Sequence, residues 1–154
     1  MDKSNELAES TVKIEREEIK AKVELNSADS VALISVNGIG PVFARSIIKY
    51  RQLLGGYNSL DQLNEVYVLR DKPDAVKRIS SQLILNTEII RQINVNTSEA
   101  KELADHVYID WNVANAIVAY REHHGLYVEV NDLTNCHLVH DELLTKIAPY
   151  LTVD

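Results

Sequence analysis

The sequence predicts an all-α protein made of two tandem copies of one helical unit. Three observations predict it. The chain repeats itself at a shift of 70 residues, its apolar residues recur at helical spacing, and its Gly-Pro punctuation falls where such helices would start and stop.

The repeat runs without a gap over positions 26–63. Asn26 meets Asn96, Leu33 meets Leu103, Ile39 meets Ile109, Ala44 meets Ala114 and Ile47 meets Ile117. Tyr50-Arg51 meets Tyr120-Arg121, Gly55 meets Gly125, Tyr57 meets Tyr127 and Leu63 meets Leu133. Further on, "VKRISSQLIL" (76–85) resembles "LTKIAPYLTV" (144–153) after a two-residue slip that "KPD" (72–74) absorbs. The expected division is a mobile tail or linker over 1–18, a first domain over 19–91 and a second over 92–154.

The elements follow in order. "IKAKVEL" (19–25) reads as extended or helical. Asn26 or Ser27 caps a first helix with Asp29 in its first turn and Val31, Leu33 and Ile34 facing inward. Asn37-Gly38 stops it. Pro41 suits the first position of a second helix, where a missing N–H costs nothing. Ala44, Ile47 and Ile48 give that helix its apolar stripe, and Gly55-Gly56 ends it. Ser59 opens a third helix in "SLDQLNEVY" (59–67), and "PDAVKRISSQL" (73–83) is the fourth. The second copy follows the same plan through Thr97, Tyr120, Gly125, Leu133 and Tyr150, with Tyr50, Tyr57, Tyr120 and Tyr127 expected in the cores.

The net charge of −7 argues against a polyanion partner until it is divided. Residues 26–91 carry 8 basic against 6 acidic side chains, whereas residues 92–154 carry 3 against 10. A nucleic acid would therefore prefer the first copy. No apolar run reaches the ~20 residues of a membrane span, and the chain as given is expected to be soluble. The single Cys136 allows no internal disulfide. His123, His124, Cys136, His137 and His140 cluster in the second copy, but Cys-His-x-x-His is not a standard zinc spacing, and surface histidines are the expectation, with no metal and no cofactor. No nucleophile motif, Gly-rich nucleotide loop or paired catalytic carboxylate suggests an enzyme.

One stretch carries chemistry: "VNGIGPVFARSIIKYR" (36–51). Glycine at 38 and 40 permits positive φ and leaves no Cβ to hold a phosphate away. The helix that follows directs its unsatisfied N–H groups and positive dipole end at the same place. Gly38, Gly40, Val42 and Phe43 are the expected donors, while Ile39 plugs into the core and fixes the turn. Arg45, Lys49 and Gln52 fall at i, i+4 and i+7 on the outward face, where they add phosphate contacts. In the second copy Tyr108 and Asp110 stand where Gly38 and Gly40 stand in the first, and Asn115, Ala119 and Glu122 stand for Arg45, Lys49 and Gln52. The core positions persist and the phosphate-facing ones do not.

"LNSADSVALISVNGIGPVFARSIIKYRQLLGGYNSLDQL" resembles the helix-hairpin-helix domain of the bacterial competence DNA-receptor family, closely over about 25–85 and more weakly over 94–153. The resemblance implies two tandem helix-hairpin-helix domains, each built from two helix-hairpin-helix motifs. It further implies sequence-independent binding of double-stranded DNA, a place in DNA uptake, and membership of a membrane-anchored extracytoplasmic protein. Three of the four hairpins depart from the pattern: "EVYVLRD" (65–71), "HVYIDW" (106–111) and "CHLVHD" (136–141) lack its glycines. Two rival expectations follow. One is a structural, protein-interaction module that kept the fold without DNA binding, whereas the DNA-binding reading makes only the second domain a structural or protein-contact module with a protein partner. The other is the accessory DNA-binding part of a repair enzyme whose catalytic domain lies elsewhere.

Overall fold

A computed structural model describes residues 21–154. The expected tail over 1–18 lies outside the described residues. The first copy runs from strand β1 (Val23–Glu24) through α1 (Ser30–Ile34), α2 (Pro41–Leu54), two 3-10 turns (Leu60–Glu65 and Tyr67–Leu69) and α3 (Pro73–Ser80) to β2 (Leu83–Ile84). A 3-10 turn at Thr87–Ile89 leads to the second copy: β3 (Ile93–Asn94), α4 (Ala100–Ala104), α5 (Trp111–His124), a 3-10 turn (Val130–Asn135), α6 (Asp141–Ile147), a last 3-10 turn (Ala148–Tyr150) and β4 (Leu151–Thr152). The strands pair in parallel, β1 with β2 and β3 with β4, so each copy has its first and last residues tied together. These two-residue ties are too short to show an alternating pattern in the sequence.

All four hairpins keep one backbone plan. Ile39 N–H donates to Val36 O, Leu69 to Val66, Ile109 to His106 and Val139 to Cys136, at 2.8–3.1 Å. Both residues of each pair are buried. The missing glycines therefore alter what a hairpin presents, not whether it forms. The two-residue slip between the copies falls in the second hairpin of the first copy, where Arg70-Asp71 separates Leu69 from the helix cap Lys72.

The repeated residues are the braces of each copy. Leu33 and Leu103, Ala44 and Ala114, Ile47 and Ile117, and Leu63 and Leu133 are all fully buried. Arg51 Nη1 donates to the carbonyls of Leu25 and Ala28, and Arg121 Nη1 to those of Val95 and Ser98, at 2.7–2.9 Å. The Tyr57 and Tyr127 hydroxyls donate to the carbonyls of Ile47 and Ile117. Asn26 and Asn96 are not helix caps. Each side-chain amide spans a loop, bonding both the N–H and the C=O of Tyr57 or Tyr127.

Three other local expectations are corrected. Asp29 is the cap of α1, its Oδ1 accepting from Ala32 N–H at 2.8 Å. That helix has only five residues, so Leu33 faces inward while Val31 and Ile34 remain exposed. The third helix is a 3-10 turn, because Gln62 folds back onto the N–H groups of Asn58 and Ser59 and tightens it.

The copies dock through a buried polar seam. Gln62 Nε2 donates to the hydroxyls of Tyr108 and Tyr150, at 3.0 and 2.9 Å. Tyr150 OH donates to Gly56 O, and Tyr108 OH and Tyr50 OH both donate to Glu65. Burial first, and then the Glu65 carboxylate, raises the pKa of both Tyr50 and Tyr108 and keeps them protonated donors. The fully buried Tyr150 packs within the first copy's core, although it comes from the second.

His106 completes the seam. Its Nε2 lies 2.7 Å from Leu54 O and so carries the proton, while Nδ1 accepts from Tyr108 N–H at 3.1 Å. Burial lowers its pKa from the ordinary 6.5, an effect to which Arg91 adds and which the Leu54 bond opposes. Below that pH the unfolded chain takes up a proton that the folded site refuses. Stability should therefore fall as the pH drops below about 6.5 and level off once the folded site itself titrates. Thermal melts of the parent and of His106→Gln between neutral and mildly acidic pH check this. The variant should lose part of the acid sensitivity, and equal slopes would contradict the assignment.

Candidate nucleic-acid interface

The first hairpin holds Gly38 at φ 102, a left-handed conformation that side chains rarely adopt. Ile39 next to it is 4% exposed and anchors the turn. Gly40 is the helix cap at φ −96, so the expectation of positive φ holds at Gly38 alone. The use of Gly40 is open space: a Cβ there would meet nothing within 4 Å. As a cap it brings no side chain to the helix end.

Four backbone donors of this hairpin and helix start consequently lack acceptors. Among the described residues the N–H groups of Gly38, Gly40, Val42 and Phe43 have no partner, whereas Ala44 N–H already bonds Gly40 O. Val42 is exposed and Phe43 half-buried. Arg45, Lys49 and Gln52 are exposed along α2, which starts at this hairpin. All eight residues singled out in the sequence thus lie on the hairpin or on its helix, with Ile39 as the anchor, Phe43 half-buried against the core and the other six exposed.

Two further residues escaped the sequence reading. Arg78, on α3, places its Nε 3.5 Å from where a Gly38 Cβ would stand. Gln82 bonds both backbone groups of Asn37, accepting from N–H at 2.9 Å and donating to O at 2.8 Å. It stiffens the turn from behind. Their i, i+4 spacing was the available signal, but nothing local to residues 36–51 points 40 positions ahead.

The second copy shows what fills such a cradle. Asp110 caps α5, and its Oδ1 accepts from Val113 N–H at 2.8 Å, the counterpart of the free Phe43 N–H. A carboxylate of the chain occupies the helix end where the first copy leaves room for an anion. Tyr108, in Gly38's place, has no positive φ and turns its ring into the seam. Trp111 remains more than half exposed. His123, His124, Cys136 and His137 line one shallow apolar depression, yet no three metal-ligating side chains are grouped to hold a metal ion among the described residues.

The helix-hairpin-helix motif, as a family, matches residues 18–83 and again 88–152, most of the chain. The chain belongs to the helix-hairpin-helix family. Helix-hairpin-helix motifs are in general nucleic-acid-binding elements. Curated relatives of this helix-hairpin-helix chain are proteins named "Endonuclease/exonuclease/phosphatase family domain-containing protein 1". The Mus musculus protein is 23% identical over 153 residues, an alignment covering 82% of this chain and 27% of that one. The Danio rerio protein is 24% identical over 142 residues, covering 82% and 26%. The Homo sapiens protein is 22% identical over 153 residues, covering 82% and 27%. The chain thus spans about a quarter of the length of these relatives. No solved structure matches it significantly. No helix among the described residues is long and apolar enough to cross a membrane.

Proposed function

We propose that this chain binds double-stranded DNA without regard to sequence, through backbone phosphates held at Gly38, Gly40, Val42 and Phe43. The observation that carries the reading is the contrast between the copies: four N–H groups stand free at one hairpin, while Asp110 fills the equivalent helix end at the other. Arg45, Lys49 and Arg78 add charge around the cradle. The second copy serves as a docked structural module, its first hairpin spent on the seam. The chain itself performs no reaction in this reading.

The relatives favour one setting for such a grip. Their name includes an endonuclease/exonuclease/phosphatase domain, and this chain corresponds to about a quarter of their length. In that setting the chain is the accessory DNA-binding part that holds a substrate for a catalytic domain. The resemblance of residues 25–85 to competence DNA receptors supports a second setting, the holding of incoming DNA. Both use the same cradle.

Fluorescence anisotropy with two duplexes of unrelated sequence tests the common core. With about three phosphate contacts, log K should fall against log salt with a slope near −3, and equally for both duplexes. Arg45→Ala with Lys49→Ala should flatten that slope by about one per cation removed. A salt-independent affinity or a sharp sequence preference would overturn backbone recognition.

A further inference from the structure

The second hairpin of the first copy has lost its glycines but gained an exposed aromatic. Tyr67 is 81% exposed. The Arg70 guanidinium carbon lies 5.6 Å from its ring centroid, and Arg70 Nε donates to Glu65 O at 3.3 Å. Lys72 Nζ is held to Val68 O at the same distance. These residues, with Asp71 and Phe43, line one open groove. Phe43 is the shared member, since its free N–H is one of the four proposed phosphate donors and the residue also lines the groove.

That juxtaposition has a chemical meaning. A cation over one face of an aromatic ring, with the ring otherwise open to water, forms a platform on which a base stacks, and the cations follow the backbone of the same strand. A fully paired duplex offers phosphates at its surface but keeps its base faces stacked inside. Resting on the phosphate-cradle reading above, we infer that Tyr67 and Arg70 form a stacking subsite for an unpaired nucleobase. The preferred ligand is then DNA in which a single-stranded segment adjoins duplex. The duplex engages the Gly38–Gly40 hairpin, and the first unpaired base lies on Tyr67. Asp71, which also lines the groove, disfavours a second phosphate there.

The test uses the full chain in anisotropy titrations with a blunt duplex and with the same duplex carrying a single-stranded extension. The parent should bind the extended duplex about five-fold or more tightly than the blunt one, the usual worth of one base on one aromatic ring. Tyr67→Ala should remove that preference and leave blunt-duplex affinity unchanged, and Tyr67→Phe should restore it. Equal affinity of the parent for both DNAs would overturn the subsite while leaving the cradle intact. So would an equal loss on both DNAs in Tyr67→Ala, which would make the tyrosine a part of the general surface. Failure of the parent to bind either DNA would overturn the cradle reading and the subsite with it.

Discussion

The Gly40→Asp protein is expected to fold normally and to lose its affinity for duplex DNA. Folding is protected because Gly40 has an ordinary extended backbone, φ −96 and ψ −175, close to the φ −84 and ψ 171 of Asp110. A side chain there meets open space. Aspartate is also a better helix cap than glycine by a few tenths of a kcal/mol, so the melting temperature should hold or rise slightly. Binding is lost because the new carboxylate takes the Phe43 N–H, as Asp110 takes that of Val113, and repels the phosphate. Like charges brought together cost several kcal/mol, which corresponds to a loss of about a hundred-fold or more. Circular dichroism follows folding and anisotropy follows binding. A folded Gly40→Asp protein with parental affinity would refute the cradle and favour a purely structural role.

The largest loss of stability is expected at Tyr150. Its side chain is fully buried, packs in the first copy's core, and bonds both Gly56 O and Gln62. Truncating a buried ring of this size costs about 3–5 kcal/mol. Tyr150→Ala should therefore destabilise the whole chain by that amount in urea unfolding. Tyr150→Phe keeps the ring and the docking but leaves the Gly56 carbonyl unpaired, a cost of about 1–2 kcal/mol. A change below about 1 kcal/mol for Tyr150→Ala would show that the two copies do not share a core, since a buried ring is worth more than that.

The sequence displayed the framework because the framework is repeated. Leu33, Ala44, Ile47 and Leu63 recur 70 positions later as core residues, the recurrence of Asn26, Arg51 and Tyr57 reflects braces that bond across 10 to 31 positions, and Gly55 recurs as the cap that ends the long helix. The free N–H groups of the candidate cradle were legible for the same kind of reason: glycine, proline and a helix end lie within a few residues. Long-range partners were not. Arg78 and Gln82 reach the hairpin only through packing of α3, and Gln62, Glu65, Tyr108 and Tyr150 meet across two copies that local periodicity cannot orient. The repeat suggested that the second copy's hairpin had lost a function. The fold shows that Tyr108 and His106 gained one, as the groups that dock the copies.

The most direct measurement is a titration of the isotopically labelled full chain with a short blunt duplex, followed by amide chemical shifts. Gly38, Gly40, Val42 and Phe43 donate to the phosphate in this account, so their amide signals should move most. The equivalent amides of Tyr108, Asp110, Asn112 and Val113 should stay in place, because Tyr108 N–H is held by His106, Val113 N–H is held by Asp110, and the Asp110 carboxylate repels a phosphate from that helix end. Shifts centred on residues 106–113, or a saturated complex in which the four amides of the first hairpin do not move, would contradict it.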